Sequence, residues 1–374
     1  MPKLGETVAA IAGRRRRVEP AQGRDSGRLK PLAGFGANPG ALRMLAYAPP
    51  GLPRGAPLVV TLHGCQQTAV GYAEGAGWLD LAQRLGFAVV APEQVQANNP
   101  QLCFNWFEPG DTRRGEGEAA SIRAMVAHAA TLFGTDPVRI FVTGLSAGGA
   151  MTAVLLATYP DVFAAGAVVA GLPYGAAANV QEAFAAMFQG RSRPPREWGD
   201  LVRGASRHAG PWPRVSIWHG EADTTVRPGA AEQLARQWSE VHGLSGAPAS
   251  VSTPSGRPYF AWRSKAGEPV VEMHLLPGLG HGTPLATTGP EALGEAGPFL
   301  IEAGVSSSLE IARFWGLAEP AEAGAGGPAP ILPRYVPPPH PAPSFVGART
   351  AARGPTVDVG AAISNALRSA GLMK

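Results

Sequence analysis

A chain of 374 residues with 32 Lys and Arg against 28 Asp and Glu carries a formal net charge of +4. That length holds one large α/β domain with extensions or two small ones, and the mild charge excludes a dedicated nucleic-acid surface. No apolar run reaches bilayer-spanning length, and no apolar core follows the arginine run at residues 14–17, so no secretion signal is readable.

Residues 1–38 read as a basic, irregular arm, with a short helix around Leu4, Val8 and Ile11. From Leu42 onward strand and helix patterns alternate, as a mostly parallel sheet requires. Strands are predicted near 42–47, 58–62, 87–91, 138–143, 165–170, 214–219 and 270–276. Helices fit 78–85, 118–133, the run after Ser146, 230–241 and 306–315.

The first core strand, 58–62, runs into His63-Gly64-Cys65-Gln66-Gln67. A His-Gly pair there lets the backbone turn its amides inward, so the Cys65 N–H is a candidate oxyanion donor, with Gln66 assisting; the other reading is a tight loop only. Cys65 and Cys103 are the two cysteines. They form either a disulfide stabilising the fold by roughly 3 kcal/mol or two free buried thiols; alone they cannot complete a zinc site.

The β-branched run at 138–143 leads into Gly144-Leu145-Ser146-Ala147-Gly148, and a helix-like run follows. Strand, G-x-S-x-G and helix in succession are the nucleophile elbow of an α/β-hydrolase, against the alternative of a Gly/Ser-rich turn. Side chains two residues either side of Ser146 would collide with neighbouring backbone, and the helix N-terminus offers the Ala147 N–H to an oxyanion. The partners follow in the order serine, acid, histidine.

Residues 179–212, partly helical, are expected to cap the site. After the 214–219 strand Asp223 is the candidate acid; Glu221 lies closer to the strand end, and helix capping is the rival role for Asp223. After the 270–276 strand His281 stands in the glycine-rich Pro277-Gly278-Leu279-Gly280-His281-Gly282 loop. Among the eight histidines, His274 lies inside a strand, His219 at a strand end, His63 in an early loop, His128 and His208 on helices, and His242 and His340 near loops. The catalytic unit is taken as 39–317. Residues 318–356 have linker composition, and 357–374 carry Val359, Ile363, Leu367 and Ala370 at helical spacing, an amphipathic helix expected to dock on its own body, with a partner or dimer contact as the alternative.

The motifs at 62–67, Asn98-Asn99-Pro100, Cys103-Phe104-Asn105-Trp106-Phe107, 144–151 and His219-Gly220-Glu221-Ala222-Asp223 together resemble the esterases of the polyhydroxybutyrate depolymerase family, relatives of feruloyl and acetylxylan esterases. The resemblance covers about residues 35–318. It implies an α/β-hydrolase fold with a mostly parallel central sheet flanked by helices, a Ser146-Asp223-His281 triad, a Cys65–Cys103 disulfide beside the oxyanion hole, and export to the extracellular space or periplasm, with the cytoplasm as the alternative since no signal is readable. It also implies hydrolysis of carboxylic esters of short 3-hydroxy acids; the triad chemistry itself needs no cofactor or metal, and the charge and the lack of a spanning run point to no nucleic-acid or membrane partner. Family depolymerases that attack solid polymer carry a binding domain after the linker. The short tail here points instead to soluble oligomers or small esters. Gln66, Trp106, Tyr174 and Trp212 are candidate substrate contacts, the aromatics being alternatively core residues. A feruloyl- or acetylxylan-type esterase and a non-catalytic hydrolase-like binding protein are the competing functions.

Overall fold

The computed structural model describes residues 26–252 and 256–319. The expected helix near the N-terminus, nearly all of the 318–356 linker and the 357–374 helix lie outside the described residues.

Strands β1 (Lys30–Leu32), β2 (Arg43–Tyr47), β3 (Leu58–Leu62), β4 (Ala88–Glu93), β5 (Ile140–Leu145), β6 (Ala165–Val169), β7 (Arg214–Gly220), β8 (Ser250–Ser252), β9 (Tyr259–Arg263) and β10 (Pro269–Leu276) form one sheet. Their order across it is β1-β2-β4-β3-β5-β6-β7-β10-β9-β8. The central strands from β4 to β10 run parallel, and antiparallel strands close both edges. In β3 the side chains alternate: Leu58, Val60 and Leu62 enter the core on one face and Val59 the core on the other. β3, β5 and β6 are buried along their whole length, as parallel strands covered on both faces must be.

The covering helices are α1 (Ala69–Gly75), α2 (Trp78–Leu85), α3 (Gly117–Phe133), α4 (Ala147–Thr158), α5 (Val180–Phe188), α6 (Pro195–Gly204), α7 (Gly229–Val241) and α8 (Ser307–Phe314). Every residue of α4 is buried, so it is apolar all round and serves as the inner helix against the sheet. Trp315, just after α8, stacks on Trp78 at 5.5 Å and on Phe141 at 5.0 Å between ring centres, fixing the end of the described chain to the sheet. A separate ribbon pairs β11 (Thr283–Leu285) with β12 (Leu300–Glu302).

Three differences from the sequence reading have physical causes. The arm taken as irregular over 1–38 contributes β1, which pairs with β2; three residues carry no readable period. The strand placed at 138–143 lies at 140–145, because Val138 is exposed in the turn where its N–H meets Asp136 Oδ1. The short strands β8, β9, β11 and β12 exist through pairing, which the local sequence does not announce.

β4 lies on one side of β3 and β5 on the other. The chain therefore reverses its winding at β3, and a crevice opens at the carboxyl ends of β3 and β5, where ligands of open α/β sheets bind.

Candidate active site

Ser146 is the single residue between β5 and α4. Its backbone has φ 56° and ψ −115°, a region that L residues rarely occupy. Its N–H donates to Val169 O at 2.9 Å. The flanking glycines explain how the strained residue is held. A Cβ on Gly144 would lie 2.4 Å from Gly148 C, and one on Gly148 would lie 2.2 Å from Leu62 O. The two ends of the elbow and the end of β3 thus touch backbone to backbone, and no side chain fits between them.

Asp223 and His281 come from the loops after β7 and β10, which are clamped together. Glu221 N–H donates to Leu276 O and Ala222 N–H to Leu279 O, each at 3.0 Å. A Cβ on Gly220 would approach Leu279 O to 2.2 Å. The outcome is a continuous line of hydrogen bonds. Asp223 Oδ2 accepts from His281 Nδ1–H at 2.7 Å, and His281 Nε2 lies 2.9 Å from Ser146 Oγ. A carboxylate only accepts, so the proton sits on Nδ1 and Nε2 is free to accept from the serine hydroxyl. The other oxygen of Asp223 accepts from the N–H groups of Thr225 at 2.8 Å and Val226 at 2.9 Å. Burial raises the pKa of this carboxyl, but hydrogen bonds from His219 and His281 outweigh it and hold the group well below the usual carboxylate range. Its rival Glu221 is exposed. The capping alternative does not apply, since α7 begins after Pro228 with no side-chain cap.

His219, read from the sequence only as a strand-end residue, is a second imidazole at the acid. Its Nε2–H donates to Val226 O at 2.8 Å and stands 3.4 Å from Asp223 Oδ2. His274 is structural, stacked on Trp218 at 3.8 Å.

The serine opens onto a cavity of about 500 Å³, within the range of small-molecule sites. Gly64, Cys65, Gln66 and Ala147 line it beside Ser146 and His281. Among the described residues, neither the Cys65 N–H nor the Ala147 N–H has a hydrogen-bond acceptor, so both can serve an oxyanion. The assisting role expected of the Gln66 amide does not hold, because that N–H donates to Gln101 O at 2.8 Å. Cys65 and Cys103 are disulfide-bonded, with Cα atoms 4.2 Å apart. The link pins the loop after β3 to the 99–103 segment.

Gln66 and Trp106 line the cavity as expected; Tyr174 and Trp212 do not. The Tyr174 main chain is bound on both its N–H and C=O by the Gln237 side-chain amide, and Trp212 packs edge-on against His208 at 5.0 Å. Their place is taken by α5, which supplies Val180, Ala183, Phe184, Met187 and Phe188. The segment read as a cap therefore splits. α5 walls the cleft, while α6 packs on α7 with Trp198 Nε1–H donating to Gln233 Oε1 at 2.8 Å. Phe184 and Phe188, four residues apart, gave a helical-face signal that could have identified the wall. Among the described residues no group of three or more His, Cys, Asp or Glu is placed to hold a metal ion, and no helix is long and apolar enough to cross a membrane.

Comparison with known proteins agrees with this geometry. The family described as Esterase PHB depolymerase matches residues 42–257. Poly(3-hydroxyalkanoate) depolymerase C of Paucimonas lemoignei is 46% identical over 291 residues, covering 77% of this chain and 70% of that protein. An acetylxylan esterase of Coprinopsis cinerea is 36% identical over 277 residues, covering 72% and 73% of the two chains. Among solved structures, the acetyl xylan esterase from Aspergillus awamori superposes with a TM-score of 0.66 at 25% identity, over 78% of this chain and 99% of that one. The chain belongs to the polyhydroxybutyrate depolymerase esterase family, has the α/β-hydrolase fold, and is a serine-type hydrolase of carboxylic esters.

Proposed function

We propose that Ser146, Asp223 and His281 form the catalytic triad of a two-step acyl transfer on short-chain oligo- or poly-hydroxyalkanoate esters, 3-hydroxybutyrate esters foremost. The observation that carries this reading is the hydrogen-bonded line from Ser146 Oγ through His281 to Asp223 at the mouth of the cavity. His281 Nε2 takes the hydroxyl proton as Oγ attacks the ester carbonyl. Asp223 keeps the proton on Nδ1 and stabilises the imidazolium. The Cys65 and Ala147 N–H groups receive the oxyanion, a donation whose loss costs about 3 kcal/mol in other hydrolases. His281 then protonates the departing alcohol, and water repeats the sequence on the acyl-enzyme to release the acid.

The substrate class is supported by the 46% identity to an enzyme named for poly(3-hydroxyalkanoate) and by a cleft wall of Phe184, Met187 and Phe188 suited to apolar acyl chains. Acetylxylan or feruloyl esters form the second reading, favoured by the 36% relative and the superposing acetyl xylan esterase. We assign the catalytic unit to the sheet and its covering helices, from β1 at Lys30 to the end of α8 at Phe314. We place the enzyme in the extracellular space or periplasm, which the Cys65–Cys103 disulfide supports.

Turnover of 3-hydroxybutyrate oligomers, acetylated xylan, feruloyl esters and p-nitrophenyl butyrate, measured side by side, tests the substrate. Oligomer hydrolysis exceeding the carbohydrate esters is the expected result, and turnover of feruloyl or acetylxylan substrates alone would reverse it. Ser146→Ala is expected to remove hydrolysis and fluorophosphonate labelling together; retained activity would end the triad assignment.

A further inference from the structure

We infer that Phe299 is a specificity-determining residue, the part of the cavity wall against which the departing alcohol of the ester lies. The inference rests on the proton-donor role proposed for His281.

Phe299 sits in a backbone conformation that its side chain disfavours. Gly297 N–H donates to Leu300 O at 2.9 Å and Leu300 N–H donates to Gly297 O at 3.0 Å, which closes a four-residue turn. Pro298 holds its second position and Phe299, with φ 63°, its third. Proline followed by a positive φ marks a type II turn, whose third residue is normally glycine. A bulky residue there is strained, and strain of this kind gathers at sites that meet a ligand.

The turn is held without the ring. Phe299 O accepts from Thr283 N–H at 2.8 Å at the head of the β11–β12 ribbon, and Glu295 N–H donates to Gly75 O at 2.9 Å. Leu300 is buried against α1, where a Cβ on Gly75 would fall 2.3 Å from Leu300 Cδ1. Phe299 itself is only half-buried. Glycine at this position would make the same turn free of strain.

The position of the ring accounts for its presence. It lines the cavity with Ser146 and His281, and it meets the His281 imidazole edge-on with ring centres 6.2 Å apart. The turn that carries it is fastened on both sides of the reaction centre. The Thr283 bond ties it to the histidine loop, and a Cβ on Gly282 would approach Phe299 O to 2.8 Å. Toward the loop after β3, Pro298 O accepts from Gln67 Nε2–H at 3.2 Å, and Gln67 Oε1 accepts from Gly64 N–H at 2.9 Å. The phenyl group is thus fixed relative to the imidazole.

His281 Nε2 hands its proton to the alcohol oxygen as the ester breaks. That oxygen must lie within hydrogen-bond reach of Nε2, and the rest of the alcohol beside the imidazole. The ring standing there is Phe299. The acyl chain leaves the carbonyl carbon in another direction, which the α5 wall serves. When the substrate is an oligomer of 3-hydroxy acids, the departing alcohol is a further hydroxy acid unit with an alkyl branch on its carbinol carbon. The phenyl ring gives that branch an apolar seat.

The test uses the full chain and three esters: ethyl butyrate, benzyl butyrate, which enlarges the alcohol alone, and ethyl hexanoate, which lengthens the acyl chain alone. Phe299→Ala is expected to lower kcat/KM about tenfold for benzyl butyrate and to leave both ethyl esters within about twofold of the wild type, because only the larger alcohol loses apolar contact. Phe299→Gly removes the ring in a form that suits the turn; it is expected to repeat the pattern, and it decides the matter if the alanine variant fails to fold. Equal losses for all three esters would make Phe299 a prop of His281, and a loss confined to ethyl hexanoate would place it on the acyl side. Either result overturns the inference, as does an unchanged kcat/KM throughout. A Ser146→Ala protein assayed alongside separates the two claims. Its retained hydrolysis would sink the triad, whereas its inactivity, with no alcohol-dependent loss in the Phe299 variants, sinks the present inference alone.

Discussion

Asp223 does two things with its two oxygens, and they are separable. One takes the loop amides of Thr225 and Val226, the other takes the His281 imidazole. Asp223→Asn keeps the shape of the side chain but can present an N–H to His281 Nδ1, forcing the proton to Nε2 and blocking acceptance from Ser146. We expect kcat on p-nitrophenyl butyrate to fall about 10³- to 10⁴-fold with KM little changed; a loss below tenfold would show that the aspartate does not set the tautomer. The three residues were legible because chemistry ties them to motif and order: a serine in a strand–turn–helix elbow, then an acid and a histidine each after a strand. Direction was not legible. Tyr174 and Trp212 had the right chemistry for a cleft wall, but the sequence does not say that the Gln237 amide and the His208 ring fix them elsewhere. Likewise His219 owes its place beside the acid to the turn that folds residue 223 back over the strand end.

At the scale of elements, periodicity served long segments and failed short ones. α2 lies at the predicted residues and α3 and α7 within one residue of them. α5, read only as part of a cap, carries the apolar wall of the cleft. Phe184 and Phe188 lie parallel with ring centres 6.0 Å apart, one turn of helix separating them. Truncating Phe184 to Ala is expected to raise KM for p-nitrophenyl hexanoate several-fold more than for the acetate, because the longer acyl chain loses more apolar contact. An equal change for both esters would place the acyl chain elsewhere in the cavity. Variants here leave the hydrogen bonds of Ser146, His281 and Asp223 untouched, so kcat on acetate is the internal control.

For the whole molecule the buried carboxyl of Glu118 sets a pH dependence. It sits at the start of α3 under the cleft floor, accepting from Asn105 N–H at 2.8 Å and from the Gln94 side chain. Burial first, and the Asp111 charge second, push its pKa from 4.5 up to about 8, against the hydrogen bonds that lower it. A carboxyl whose pKa is raised on folding binds more protons in the native than in the unfolded state. Its contribution to stability is complete below pH 4.5 and is lost as the pH climbs through 8. Urea midpoints of the wild type are therefore expected to fall from pH 5 to pH 8.5 by more than those of Glu118→Gln; equal declines in the two proteins would remove Glu118 as the cause. Neither this group nor the ten-strand order could be read along the chain, since both depend on which distant segments meet.

The crowding of main chain against main chain at Gly144, Gly148 and Gly220 separates two jobs. The reacting atoms are located by skeleton, while the walls that meet the acyl group are ordinary side chains on a helix that does not share those contacts. A scaffold divided in this way can exchange its upholstery without shifting its frame, so descendants could change diet from one ester to another through α5 while the chemistry stays where it was.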